Sequence, residues 1–176
     1  MSRAVPAPTR TVRTIGAAIA ALSIAAIGVL AVGRPASADR SLPTFGAPPL
    51  RPGDPQLTDQ LVRGQPAVLV FWASWCEPCQ REIPAIAAGP LLHSNRVRII
   101  GVDTNDRRAD AISFLESHGS EALPSAFDDT GRIAEALSLY GLPATVYVEA
   151  DGTIAATHVG PTSANDIARF VAGANR

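Results

Sequence analysis

Hydrophobic and polar positions divide the chain into three regimes. From Ile15 to Gly33 the run "IGAAIAALSIAAIGVLAVG" presents no polar face of the kind a surface helix shows. From Asp39 to Pro55 the segment "DRSLPTFGAPPLRPGDP" holds five prolines and two glycines and reads as a linker, an extended arm or loose hairpin. Beyond it, short apolar runs alternate with helical periodicity. "PAVLVFW", Pro66 to Trp72, is a continuous run between Gly64 and a turn, the pattern of a central strand buried on both faces. A helix is expected from about Cys76 to Leu92, bent near Pro84, whose ring removes a backbone donor. "VRIIGVD", Val97 to Asp103, is a second buried strand. Asp106 can cap a helix that reaches about His118 and stops at Gly119, with Ile112 and Leu115 turned inward. "DDTGRIAEALSLYG" places Ile133, Leu137 and Tyr140 at helical spacing, and "ATVYVEADGTIAATHVG" gives two antiparallel strands around an Asp151-Gly152 turn. Ser163 and Asp166 have the spacing of a capping box for a last helix. A βαβ unit, an inserted helix and a ββα unit predict an α/β fold, a central mixed sheet flanked by helices on both faces.

A basic flank gives the first apolar run its meaning. Arg3, Arg10 and Arg13 precede it, and no acid occurs before Asp39. Its nineteen residues, at a helical rise of about 1.5 Å each, nearly span a hydrocarbon core of about 30 Å, with the positive flank on the cytoplasmic side. The expected organisation is a cytoplasmic basic flank (1–14), a membrane anchor or signal h-region (15–33), a linker (34–55) and one extracytoplasmic domain (56–176). "ASA", Ala36 to Ala38, has the form of a cleavage signal, and cleavage there would leave the domain secreted or periplasmic. No cysteine stands at the outer end of the run, which argues against a lipoprotein anchor, and the arginines are unpaired, which argues against twin-arginine export. All 15 basic residues are arginine, against 16 acids; beyond Ala38 there remain 11 arginines and a formal charge of −5. No basic cluster exceeds Arg107-Arg108, which Asp106 and Asp110 flank on what reads as a solvated helix face, so nothing marks a nucleic-acid partner.

Both cysteines lie in "FWASWCEPCQREIPA", Phe71 to Ala85. A chain that is 47% hydrophobic over 176 residues needs no staple, and a CxxC loop is too short to restrict the unfolded chain much, which disfavours a purely structural disulfide. Zinc would need two further ligands, and His93, His118 and His158 lack the paired spacing of a zinc site. A redox pair fits the surroundings. A strand turning directly into a helix puts Cys76 at the helix N-terminus, where backbone donors and the macrodipole favour a thiolate, so Cys76 is the expected nucleophile. Cys79 lies further in, within reach of the same sulfur, and suits the resolving role. Pro78 costs little there because that position has no intrahelical donor bond to lose.

"VLVFWASWCEPCQREIP" resembles the active-site segment of thioredoxin-like proteins of the TlpA, ResA and CcmG type, and "YGLPATVYVEADGTI" resembles the family's cis-proline segment with its trailing hairpin. The likeness runs from about Leu42 to the C-terminus. It implies a membrane-tethered, extracytoplasmic thiol-disulfide oxidoreductase without a cofactor. Pro143 would then be the cis-proline beside the cysteines, Leu142 would offer its backbone to a substrate strand, and Trp75 and Pro78 would complete the substrate-binding surface. The resemblance further implies exported protein disulfides as substrates, the CxxCH disulfide of apocytochrome c among them, and a transmembrane thiol carrier as electron donor.

Two departures from thioredoxin itself refine the expectation. The buried aspartate and the lysine of its proton route are missing, since Val70 is apolar and the chain has no lysine. Glu82, three residues after Cys79 and six after Cys76, falls on the same side of the expected helix, where a partly desolvated carboxylate could take the Cys79 proton; it also matches a family glutamate. A first-turn acid that merely complements the helix dipole is the competing reading. Glu77 is expected to be exposed and to oppose thiolate formation at Cys76. A peroxiredoxin would need P-x-x-x-T/S-x-x-C, whereas Leu69 and Ala73 stand at those places. A general oxidant of exported proteins and a non-catalytic adaptor are the alternatives to a reductase.

Overall fold

The computed structural model describes residues 41–174. The basic flank, the Ile15–Gly33 run and the Ala36–Ala38 signal lie outside the described residues; among those described, no helix is long and apolar enough to cross a membrane. In chain order the elements are β1 (Gly46–Ala47), β2 (Leu57–Thr58), β3 (Ala67–Trp72), α1 (Cys79–Ala87), β4 (Arg98–Thr104), α2 (Arg108–Ser117), β5 (Ser125–Asp128), α3 (Arg132–Ala136), β6 (Ala144–Val148), β7 (Ile154–Val159) and α4 (Ala164–Ala174). The main sheet has the order β5-β4-β3-β6-β7, with β3, β4 and β5 parallel and β6 and β7 antiparallel.

The unbroken apolar run of β3 is explained by its central place, because both faces of the strand are covered. Val68, Val70 and Trp72 join one core cluster with Ile83 and Ile86 of α1, Phe114 and Leu115 of α2, and Ile167 and Val171 of α4. Ala67, Leu69 and Phe71 point to the other face and meet Leu42, Ala47, Leu57 and Val62 of the N-terminal segment and Ile133 of α3. Gly101 lets this packing close: a Cβ there would stand 2.8 Å from the Trp72 ring nitrogen and 2.7 Å from Ser125 Oγ.

The proline-rich arm is a loose hairpin, and it lies on the domain. β1 pairs antiparallel with β2. The backbone N–H groups of Leu50 and Phe127 donate to Ser125 and Pro48 carbonyls, so the arm covers the free edge of β5. Arg108 donates from Nη1 to the carbonyls of Pro49 and Leu50 and lies 4.2 Å from the centre of the Phe127 ring. The expectation that the arginine pair sits on a solvated face thus holds for Arg107 and fails for Arg108.

Four boundaries differ from the sequence pattern. Regular helix begins at Cys79 rather than Cys76, because Pro78 has no N–H and disfavours helical geometry in the residue before it. It ends at Ala87 rather than Leu92, where Gly89 and Pro90 interrupt it. The residue before α2 is Arg107, in extended geometry, while the Asp106 side chain turns elsewhere. α3 spans only five residues, and Tyr140 is 86% exposed instead of lying on a buried helix face. Periodicity does not reveal β5: four residues hold no pattern, and pairing with β4 and the arm makes them a strand. The hairpin of β6 and β7 turns through Gly152 at φ +88°, and Ser163 with Asp166 forms the expected capping box.

Candidate redox active site

The turn between β3 and α1 carries the two sulfurs. Cys76 and Cys79 form a disulfide with S–S 2.03 Å and Cα atoms 5.3 Å apart. Cys76 lies on an i→i+3 turn ahead of the helix, its carbonyl accepting from the Cys79 N–H at 3.0 Å, so the helix N-terminus is one turn away. Cys79 is fully enclosed and Cys76 only slightly less so, at 4% exposure. Beside them Trp75 stands 61% exposed, its ring N–H donating to the Asn105 carbonyl at 3.0 Å. Trp75 and Leu142 both line an open groove of about 560 Å³ that Tyr140 and Glu135 border.

The Leu142-Pro143 peptide bond is cis, in keeping with the resemblance, and Leu142 packs against the cluster that contains both cysteines. Pro78 precedes α1 directly and shares a second, smaller concavity with Glu82, Thr162 and Ser163. Glu77 is exposed and forms a loose ion pair with Arg81 at 3.7 Å, a contact of little energetic weight in water.

Glu82 lies on the same buried face of α1 as Cys79 and is only 5% exposed. Neither carboxylate oxygen has a partner at hydrogen-bonding geometry. Desolvation pushes its pKa up to about 7, and the nearby Thr162 backbone offsets only part of that. Glu82 is thus an enclosed first-turn acid rather than a solvated one.

Two features had no clear sequence signal. Asp106, read as a helix cap, accepts instead from Ser74 N–H at 2.5 Å and Ser74 Oγ–H at 3.1 Å, and so ties the β4–α2 loop to the turn before Cys76. Thr162, hidden in a loop, is buried against Thr145, with their hydroxyls 2.9 Å apart. An acid closing an apolar strand, Asp103, was the one hint of a further buried carboxyl on this side.

A mixed five-stranded sheet with helices on both faces and a CxxC pair at the strand-to-helix turn defines a thioredoxin-fold thiol-disulfide oxidoreductase. Residues 38–157 match the AhpC/TSA family, and the chain belongs to that family. A thiol:disulfide interchange protein DsbE homolog of Paracoccus denitrificans is 37% identical over 129 residues, covering 72% of this chain and 69% of its own length. The structure of MTB dsbF, described in mixed oxidized and reduced forms, aligns with TM-score 0.65 at 26% identity, covering 74% of this chain and 95% of that one. A secreted Mycobacterium tuberculosis disulfide oxidoreductase homologous to E. coli DsbE aligns with TM-score 0.61 at 27% identity, over 74% of this chain and 96% of that one.

Proposed function

We propose that the protein reduces disulfides of exported proteins, with Cys76 as nucleophile, Cys79 as resolving thiol and Glu82 as the proton acceptor for Cys79. The Cys76 thiolate attacks one sulfur of the client disulfide, forming a mixed disulfide and expelling the other client sulfur as a thiolate. Cys79 then gives its proton to Glu82 and attacks Cys76, which releases the second client thiolate and closes the Cys76–Cys79 disulfide. Two electrons pass from the dithiol to the client, and a membrane thiol carrier returns the pair to its reduced form. Trp75, Pro78 and Leu142 form the surface that receives the client strand, backed by the buried Pro143. The exported setting is supported by the basic flank and apolar run, which suit a membrane anchor with the domain outside, and by the secreted state of one structural relative. The CxxCH disulfide of apocytochrome c is the client class the family resemblance suggests.

The carrying observation is the pairing of a fully enclosed Cys79 with an unpartnered, buried Glu82 on one helix face, beside a turn whose Trp75 stands in solvent. The test is trapping. With an oxidised CxxCH peptide added to the reduced variants, Cys79→Ser should accumulate the mixed disulfide and Cys76→Ser almost none; equal trapping by both would reverse or remove the division of labour. Direction is read separately: a potential near the thioredoxin value of about −270 mV fits a reductase, and one near about −120 mV would make the protein an oxidant.

A further inference from the structure

Asp103 ends the apolar part of β4 and has no exposed surface, and neither of its carboxyl oxygens receives a hydrogen bond from a donor among the described residues. The neighbouring charge that acts on it most strongly is another carboxyl, that of Asp106, three residues on in the loop after β4. Asp106 already accepts three hydrogen bonds, from Ser74 N–H, Ser74 Oγ–H and, at 2.7 Å, the Arg107 N–H, which leaves one of a carboxylate's roughly four acceptor sites. A proton shared by two neighbouring carboxyls sits on the one without other donors, and the one that already has three acts as acceptor.

The other charged groups nearby leave this arrangement standing. Arg108 spends its guanidinium on the Pro49 and Leu50 carbonyls and on the Phe127 ring. Asp128 of β5 accepts from Thr104 Oγ1 at 2.9 Å and from the Ile133 and Ala134 N–H groups. On its other side β4 meets β3, where the residue in register with Asp103 is the uncharged Trp72. Burial first, then Asp106, push the Asp103 pKa up to about 9, against an opposing pull from Arg108 that exceeds the further push from Asp128.

We propose that Asp103 is a positioning residue of the redox centre: as a neutral acid it donates to Asp106 and thereby holds Asp106 on Ser74, two residues before Cys76. Ionisation of Asp103 sets two negative charges against each other, one enclosed and one, Asp106, partly open to solvent. The open one yields, and the Ser74 turn loses its anchor. The proposal is independent of which sulfur attacks, since Cys76 and Cys79 share that turn.

The oxidised full-length protein isolates this titration, because disulfide-bonded cysteines do not ionise. The Ser74 amide proton and the Asp103 carboxyl carbon, followed by NMR from about pH 6 to about pH 10.5, should titrate together near the Asp103 value, and Asp103→Asn should abolish the change at Ser74. In insulin-disulfide reduction at pH 7, Asp103→Asn, which keeps a donor towards Asp106, should stay within about two-fold of wild type, while Asp103→Ala should lose about ten-fold through misplacement of the turn. Towards pH 10 the asparagine variant should hold its rate relative to wild type and overtake it. A Ser74 amide indifferent to pH, an identical titration in Asp103→Asn, or an asparagine variant as slow as the alanine variant overturns the proposal. Where Asp103→Ala does not fold, the NMR titration and the asparagine variant decide it.

Discussion

Glu82 shows how one residue's chemistry depends on where the fold places it. Its spacing from the cysteines puts it on their side of a helix, but only enclosure beneath the loop around Thr162 lifts its pKa to about 7. The carboxylate that can accept the Cys79 proton therefore forms as the pH rises through neutrality, and the rate of disulfide reduction should rise with it. Glu82→Gln should remove that limb and slow reduction by about ten-fold or more, the low end of the range for positioned acid-base groups because water substitutes in part. The Cys79 thiol pKa should fall in the same variant, since a neighbouring negative charge is gone. Stability moves the other way with pH. Between about 4.5 and about 7 the native Glu82 keeps a proton that the unfolded chain has released, so the fold loses stability as pH rises through that window. The thermal midpoint of wild type should accordingly fall relative to Glu82→Gln between pH 5 and pH 8. An unchanged rate profile and thiol titration would make the carboxylate structural.

Among the elements, the N-terminal arm departs furthest from its sequence pattern. Prolines hide periodicity, yet three of its side chains are buried, Leu42 and Ala47 against one face of the sheet and Leu50 in the core of the other. A flexible linker would tolerate truncation of any of these side chains. Leu50→Ala should instead cost about 2 to 5 kcal/mol, a large share of the roughly 5 to 15 kcal/mol that holds a domain of this size together. Urea unfolding measures this directly, and a loss well under 1 kcal/mol would mean that the arm does not belong to the core. The same rule explains β5 and the two misread charges. β5 exists because β4 offers it a partner and the arm covers its outer edge, and Asp106 and Arg108 leave their expected surface roles because the active-site turn and the arm's carbonyls are within reach.

For the whole molecule, the apolar run bears on placement relative to a membrane. The Ile15–Gly33 run and its arginines predict that protease added to intact spheroplasts digests the domain; protection would reverse the topology. The mass of the membrane-bound product separates anchor from signal, because cleavage after Ala38 removes 38 residues. Local sequence determined what depends on near neighbours along the chain. The apolar run of β3, the turn at Gly152, the Ser163-Asp166 box and the two-residue spacing between Cys76 and Cys79 are all set within a few residues, so the fold class and the redox pair were legible without coordinates. The tertiary structure decided what depends on enclosure. Whether Glu82 meets water, whether Asp103 keeps a proton, and whether a proline-rich arm is linker or core are fixed by residues distant in sequence, since desolvation and packing follow from what covers a group rather than from what precedes it.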